Sequence, residues 1–195
     1  MSSDLSHVRH EQHSSPHSAL VGWLWVYRAG TPGVDSGDNG SLRLDLANMP
    51  QPDGYLIVRP ERGGRVRISA DDYIEGGPEV VAEVSASIAG HDLGAKLTAY
   101  LRNEVREYIV WRVLDRAVDW FVLRDGTYKR LEPGADGILR SAVFPGLWLD
   151  AVALTGGDSA RVLAVVLQGL GSAEHADFVA SLGTTVAAVP DATAE

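Results

Sequence analysis

The sequence predicts an α/β protein in which a mixed central β-sheet is flanked by helices. Short apolar runs typical of strands cluster in the middle of the chain, and a single helical pattern at residues 91–104 interrupts them. Further helical patterns lie before residue 30 and after residue 150. A helix that connects strands in this way is expected to pack on one face of the sheet.

The N-terminal segment is polar and rich in His and Ser, so residues 1–15 are predicted to form a disordered tail. Its motif HVRHEQHSSPH offers imidazoles that could hold zinc, but a flexible tail is the preferred interpretation. A helix with a broad apolar face is predicted to begin near Pro16 and to end at Gly30.

Three strand patterns follow this helix. SLRLDLAN alternates Leu42, Leu44 and Leu46 with polar residues, which predicts a half-buried antiparallel strand. GYLIV is a continuous apolar run, and PEVVAEVSAS has the composition of the most deeply buried strand of the chain.

The second half of the chain begins with HDLGAKLTAYLRNE, a helical pattern for which Asp92 is the expected N-cap. Glu104 and Glu107 flank the end of this helix and are expected at the surface. Two long strands are predicted around a turn near Asp115, and a shorter strand follows Gly126. FPGLWLDAVAL is predicted to be a loop that leads into a short helix, and two further helices follow.

Composition limits the functions open to this chain. Its 195 residues suit one domain with a small appendage. The net charge of −9 argues against broad, non-specific nucleic-acid binding, which depends on Lys and Arg neutralising phosphates. No apolar run is long enough for a membrane span, the N-terminus lacks the apolar region of a secretory signal, and there is no Cys. We therefore expect a cytoplasmic protein without membrane association.

A carboxylate in the middle of an apolar run marks the candidate site. Glu83 needs a metal ion, a neighbouring cation or an open cleft, because a buried unpaired charge is costly. A hairpin between Asp53 and Glu83 would bring two carboxylates together, and such oxygens suit Mg²⁺ or Mn²⁺. Lys96 is the candidate for stabilising charge on a phosphodiester. Taken singly, Asp53 suits a turn and Lys96 a solvated helix face.

The motifs PDGYLIV, GGPEVVAEVSAS, HDLGAKLTAYLRNEVREYIVWRVLDRAVDWF and FPGLWLD, in this order, resemble the Uma-two-type family of putative restriction endonucleases in the PD-(D/E)XK nuclease superfamily. The resemblance covers roughly residues 16–155. It implies a restriction-endonuclease-like domain over this range, with residues 156–195 as a helical extension.

The resemblance also implies a site and an activity. Asp53 and Glu83 would be metal ligands, with the Val84 carbonyl as a third. The superfamily places a lysine two residues after the glutamate; that position is Ser85 here, and the lysine role would pass to Lys96. The implied activity is Mg²⁺- or Mn²⁺-dependent hydrolysis of DNA phosphodiester bonds.

Two functions remain open from the sequence. The first is a metal-dependent endonuclease with Asp53, Glu83 and Lys96 as catalytic residues. The second is an inactive nuclease-fold protein used for assembly or partner binding, which the acidic composition favours. A homodimer is expected, because Trp111, Trp120 and Phe121 lie on predicted adjacent strands and would leave aromatic surface exposed.

Overall fold

The computed structural model describes residues 9–45, 48–85 and 90–183, with no side chains described for residues 90–93. The helices in these ranges are α1 Ser15–Ala29, α2 Gly90–Arg102, α3 Ala151–Gly156, α4 Ser159–Leu170 and α5 Ala173–Leu182. The strands are β1 Val34–Gly37, β2 Leu42–Arg43, β3 Gly54–Val58, β4 Arg67–Ile68, β5 Ile74–Glu75, β6 Val80–Ser85, β7 Glu107–Arg112, β8 Ala117–Arg124, β9 Thr127–Arg130, β10 Ile138–Arg140 and β11 Trp148–Asp150.

The central sheet has six strands in the order β1-β3-β6-β7-β8-β9. β6 and β7 are parallel, and the other neighbouring strands are antiparallel. α2 connects the parallel pair, since two parallel neighbours cannot be joined by a tight turn. The predicted mixed sheet with a crossover helix is therefore confirmed.

Side chains of β6 alternate between two cores. Val80, Ala82 and Val84 pack in the larger core, which α1 covers. Val81 packs in the smaller core, together with Tyr100 of α2. Because successive strand residues point to opposite faces, Glu83 lies on the α2 side of the sheet.

The SLRLDLAN motif differs from its prediction. Among the described residues of this motif, Leu42 and Arg43 alone form a strand, which pairs in parallel with β5 in a separate sheet of order β2-β5-β4. Asp45 then forms an isolated antiparallel bridge with Asn48. Leu42 and Leu44 are buried as the alternation predicts, whereas Leu46 lies outside the described residues.

The N-terminal segment also differs from its prediction. Residues 1–8 of the expected tail lie outside the described range, but His10–Ser14 forms a π-helical turn that continues directly into α1. The Ser14 amide donates to the Arg9 carbonyl at 3.2 Å, which closes this wide turn. α1 then ends at Ala29, before Gly30, as predicted.

The aromatic residues expected to form a dimer surface lie mostly inside the molecule. Trp111 and Trp120 are buried in the larger core, and Phe121 is half-buried beside Tyr108 and Tyr128. The exposed aromatic surface on which the dimer prediction depended is therefore absent from these strands.

Glu107 also differs from its prediction. It was expected at the surface and is fully buried at the start of β7.

The C-terminal helices share the larger core with the sheet. Val162 and Val166 of α4 and Leu182 of α5 are buried there. α4 also crosses the β10–β11 connection closely, so that a Cβ on Gly169 would lie 2.2 Å from the Gly146 carbonyl oxygen. The division of the chain near residue 156 stays a prediction. Within the described ranges, no helix is long and apolar enough to cross a membrane.

Candidate metal-binding active site

The candidate site lies where β3 begins and β6 ends. Gly54 pairs with Ala82 in the antiparallel register, so Asp53 and Glu83 occupy the next opposite positions. Opposite residues of antiparallel strands point to the same face of a sheet. Both carboxylates are buried, with 7% and 6% of the residue surface exposed. The structure thus brings together the two acidic residues that the sequence singled out.

Glu83 is held by two donors from α2. Lys96 Nζ donates to Glu83 Oε2 at 2.7 Å, and the Tyr100 hydroxyl donates to Oε1 at 2.9 Å. Lys96 and Tyr100 are four residues apart, so they lie on the same face of the helix. Of the three ways to satisfy Glu83 that the sequence left open, the structure shows a neighbouring cation.

Burial dominates the electrostatics of Glu83. It raises the pKa of the carboxyl group above its usual value, while the charge and hydrogen bonds of Lys96 and Tyr100 lower it. The negative charge of Asp53 raises this pKa further. Two buried carboxylates therefore repel each other at this position, and an additional cation would relieve the repulsion.

Asp53 is oriented by the backbone of β6. The Val84 amide donates to Asp53 Oδ2 at 2.6 Å. In a strand, the N–H and C=O of one residue point the same way, and the neighbouring Ser85 carbonyl accepts from Val113 on the β7 side. The Val84 carbonyl therefore faces the β3 side of β6, on which Asp53 lies, and is the candidate third oxygen of the site.

Two histidines complete the surroundings of Asp53, and sequence interpretation missed them by assigning them to a flexible tail. His13 Nε2 lies 3.5 Å from Asp53 Oδ1. His17 Nε2 lies 3.2 Å from the Asp53 carbonyl oxygen and 3.1 Å from Asp38 Oδ1. The two rings stack with centroids 5.7 Å apart. Their i, i+4 spacing at the entry to an apolar helix was the available signal.

The donor set fits a hard divalent cation. Two carboxylates and one backbone carbonyl are ligands that Mg²⁺ and Mn²⁺ accept, with water completing the coordination. In the parts of the chain that the structure describes, no three His, Asp or Glu side chains already surround a metal position. Binding would therefore rely on the Val84 carbonyl and on water as well as on side chains.

The structure also places Ser85 and Asp92, two positions near the site that figured in the sequence-based predictions. Ser85, at the position where the superfamily has its lysine, ends β6 and is half-buried. Asp92 is the third residue of α2, which begins at Gly90, so it does not occupy the predicted N-cap position; its side chain lies outside the described residues.

Comparisons with known proteins identify the family and support the fold. The family model described as "Uma2: Putative restriction endonuclease" matches residues 5–153, and a search of curated proteins found no match. Among solved structures, the chain is similar to "a putative nuclease belonging to DUF820 from Anabaena variabilis ATCC 29413". That match has a TM-score of 0.51 at 10% sequence identity and covers 76% of this chain and 84% of the other. The chain therefore belongs to the Uma2 family.

Proposed function

We propose that this protein is an endonuclease that hydrolyses DNA phosphodiester bonds with Mg²⁺ or Mn²⁺. The observation that carries the proposal is the convergence of Asp53, Glu83 and Lys96 where β3 begins and β6 ends. Family membership supports nuclease chemistry, and the buried, mutually repelling carboxylates supply a physical reason for a cation.

Each residue has a distinct task. Asp53, Glu83 and the Val84 carbonyl would hold the metal ion, which when bound would polarise a phosphate oxygen and lower the pKa of an attacking water. The hydrogen bond from the Val84 amide fixes the Asp53 carboxylate, so one oxygen stays directed away from the backbone. Tyr100 keeps Glu83 in place from the buried side.

Lys96 supplies the positive charge that stabilises the transition state. Its side chain is 43% exposed, so the ammonium lies at the boundary between Glu83 and solvent. A substrate phosphate at this boundary would find a preorganised donor for its developing negative charge. Because α2 places the Lys96 ammonium 2.7 Å from Glu83, the positive charge does not have to come from a lysine at position 85.

Two further predictions belong to this proposal. DNA is the proposed substrate, and a homodimer would allow both strands to be cut. Many restriction-type nucleases cut both strands as dimers, and the dimer proposal rests on the resemblance to them, since Trp111 and Trp120 are buried. The cytoplasmic location likewise stays a prediction.

One observation favours the inactive alternative. Lys96 and Tyr100 already satisfy both oxygens of Glu83, as they would in a purely structural ion pair. Together with the net charge of −9, this suits a nuclease fold that serves assembly. The two functions differ in whether a divalent cation binds at Asp53 and Glu83 and whether DNA is then cut.

Cleavage of supercoiled plasmid in Mg²⁺ and in Mn²⁺ tests the proposal. Asp53→Asn, Glu83→Gln and Lys96→Met should each lower the rate at least about 100-fold, since each removes a metal ligand or the transition-state charge. Glu83→Gln should keep the fold, because the amide can accept from Lys96 and donate to the Tyr100 hydroxyl.

Lys129→Met is the matched control for the lysine, since Lys129 is exposed on β9. It should cut at the wild-type rate. Folded wild-type protein that cuts no plasmid in either metal would favour the assembly function. Wild-type rates in folded Glu83→Gln would refute the proposed mechanism.

A further inference from the structure

The π-helical turn at His10–Ser14 places an imidazole at the candidate site. π-helical turns are rare in proteins, but those that occur are often found at functional sites. The extra residue in such a turn changes the direction of the side chains that follow it. Here the turn lies directly before α1 and packs against β6. His13, near the end of this turn, is half-buried and directs Nε2 towards Asp53.

The two oxygens of Asp53 have different surroundings. Oδ2 accepts the Val84 amide, whereas Oδ1 lies 3.5 Å from His13 Nε2. Two ligands of one metal ion, each about 2.1 Å from it, are separated by about 3–3.5 Å. The nitrogen and the oxygen therefore stand at a separation that a shared ion would bridge.

We propose that His13 Nε2 is a further ligand of the metal ion bound by Asp53, and that it makes the site prefer Mn²⁺ over Mg²⁺. The inference rests on the proposed function, because it concerns the same ion. Imidazole nitrogen suits first-row transition metals, whereas Mg²⁺ prefers oxygen ligands. A site made only of carboxylate and carbonyl oxygens would lack this reason to prefer Mn²⁺ over Mg²⁺.

His17 orients His13 and is not itself the ligand. Its Nε2 is occupied by Asp38 at 3.1 Å and by the Asp53 carbonyl at 3.2 Å, and it lies farther from Asp53 Oδ1, at 3.9 Å. Its ring stacks on that of His13 at an angle of 12°. The stacking holds the plane of the His13 ring, so Nε2 remains directed at Asp53.

Binding of the metal alone to the full-length protein tests this assignment. Isothermal titration with Mn²⁺ and with Mg²⁺ would compare wild type, His13→Ala and His10→Ala. His13→Ala should weaken Mn²⁺ binding about tenfold or more, as expected for loss of a ligand. Mg²⁺ affinity should change less than about twofold, because Mg²⁺ would not use the nitrogen.

His10→Ala is the matched control, since His10 lies on the same turn and is exposed. It should bind both metals as wild type does. Electron spin-echo measurements on bound Mn²⁺ give an independent readout. Wild type should show coupling to an imidazole nitrogen, and His13→Ala should lose it.

Three results would overturn the inference: unchanged Mn²⁺ affinity in His13→Ala, an equal loss for Mn²⁺ and Mg²⁺, or an equal Mn²⁺ loss in His10→Ala. Asp53→Asn separates this failure from failure of the proposed function. If Asp53→Asn abolishes Mn²⁺ binding while His13→Ala does not change it, the metal site stands without the histidine. If Asp53→Asn binds Mn²⁺ as wild type does, the metal site itself is wrong and both proposals fail.

Discussion

Glu107 makes the stability of the protein depend on pH. Its carboxylate accepts hydrogen bonds from Trp120 Nε1 at 3.1 Å, from the Ser141 hydroxyl at 2.7 Å and from the Ala142 amide at 2.7 Å. Burial nevertheless raises its pKa from 4.5 to about 7. Complete removal from water thus outweighs the three donors that favour the charged form.

The sign and size of the effect follow from proton linkage. Because the folded protein binds this proton more tightly than the unfolded chain, the stabilisation is fully present below pH 4.5 and is lost as the pH rises through about 7. The increase in pKa corresponds to about 3 kcal/mol. About 2.5 kcal/mol of this should be lost between pH 5 and pH 8.

Urea denaturation at pH 5 and pH 8 measures this contribution. Glu107→Gln removes the titrating group, so the difference in unfolding free energy between the two pH values should shift by about 2.5 kcal/mol relative to wild type. The comparison is insensitive to any packing cost of the amide, which is present at both pH values. Glu104→Gln, at an exposed carboxylate, controls for net charge and should follow wild type. Identical pH dependence in Glu107→Gln and wild type would refute the reasoning.

Two other substitutions test packing around the site and the C-terminal helices. Tyr100→Phe removes the donor to Glu83 Oε1 and should lower the unfolding free energy by about 1–2 kcal/mol in urea denaturation; no loss would mean that the hydroxyl does not support the carboxylate. Gly169→Ala places a Cβ 2.2 Å from the Gly146 carbonyl oxygen and should cost about 1–3 kcal/mol by thermal denaturation. Gly156→Ala, with nothing within 4 Å, is its control and should not destabilise the protein.

Much of the fold was predictable because local patterns determine it. Apolar runs gave β3, β6, β7 and β8 directly, and Glu83 attracted attention because it interrupts one of them. Lys96 was identified with it and lies within 2.7 Å of its carboxylate. Tyr100, one helical turn further on, followed the same spacing but was not singled out.

The unpredicted features depend on contacts between distant parts of the chain. His13 belongs to a polar segment without apolar periodicity, and its placement depends on Asp53, forty residues later, and on the stacking of His17. Glu107 follows the polar end of α2, and its burial depends on the segment around Ser141 folding over it. The i, i+4 spacing of His13 and His17 gives a helical face but not its partner, and the burial of Glu107 leaves no local pattern in the sequence.

The central claim is that Asp53 and Glu83 share a divalent cation, and Mn²⁺ in a crystal tests it most directly. Anomalous diffraction from wild-type crystals soaked in Mn²⁺ should show a peak between the two carboxylates, within about 2.5 Å of an oxygen of each. Glu83→Gln crystals treated identically should show a much weaker peak. A well-ordered wild-type site without that peak, or Mn²⁺ bound only elsewhere on the molecule, would contradict the account.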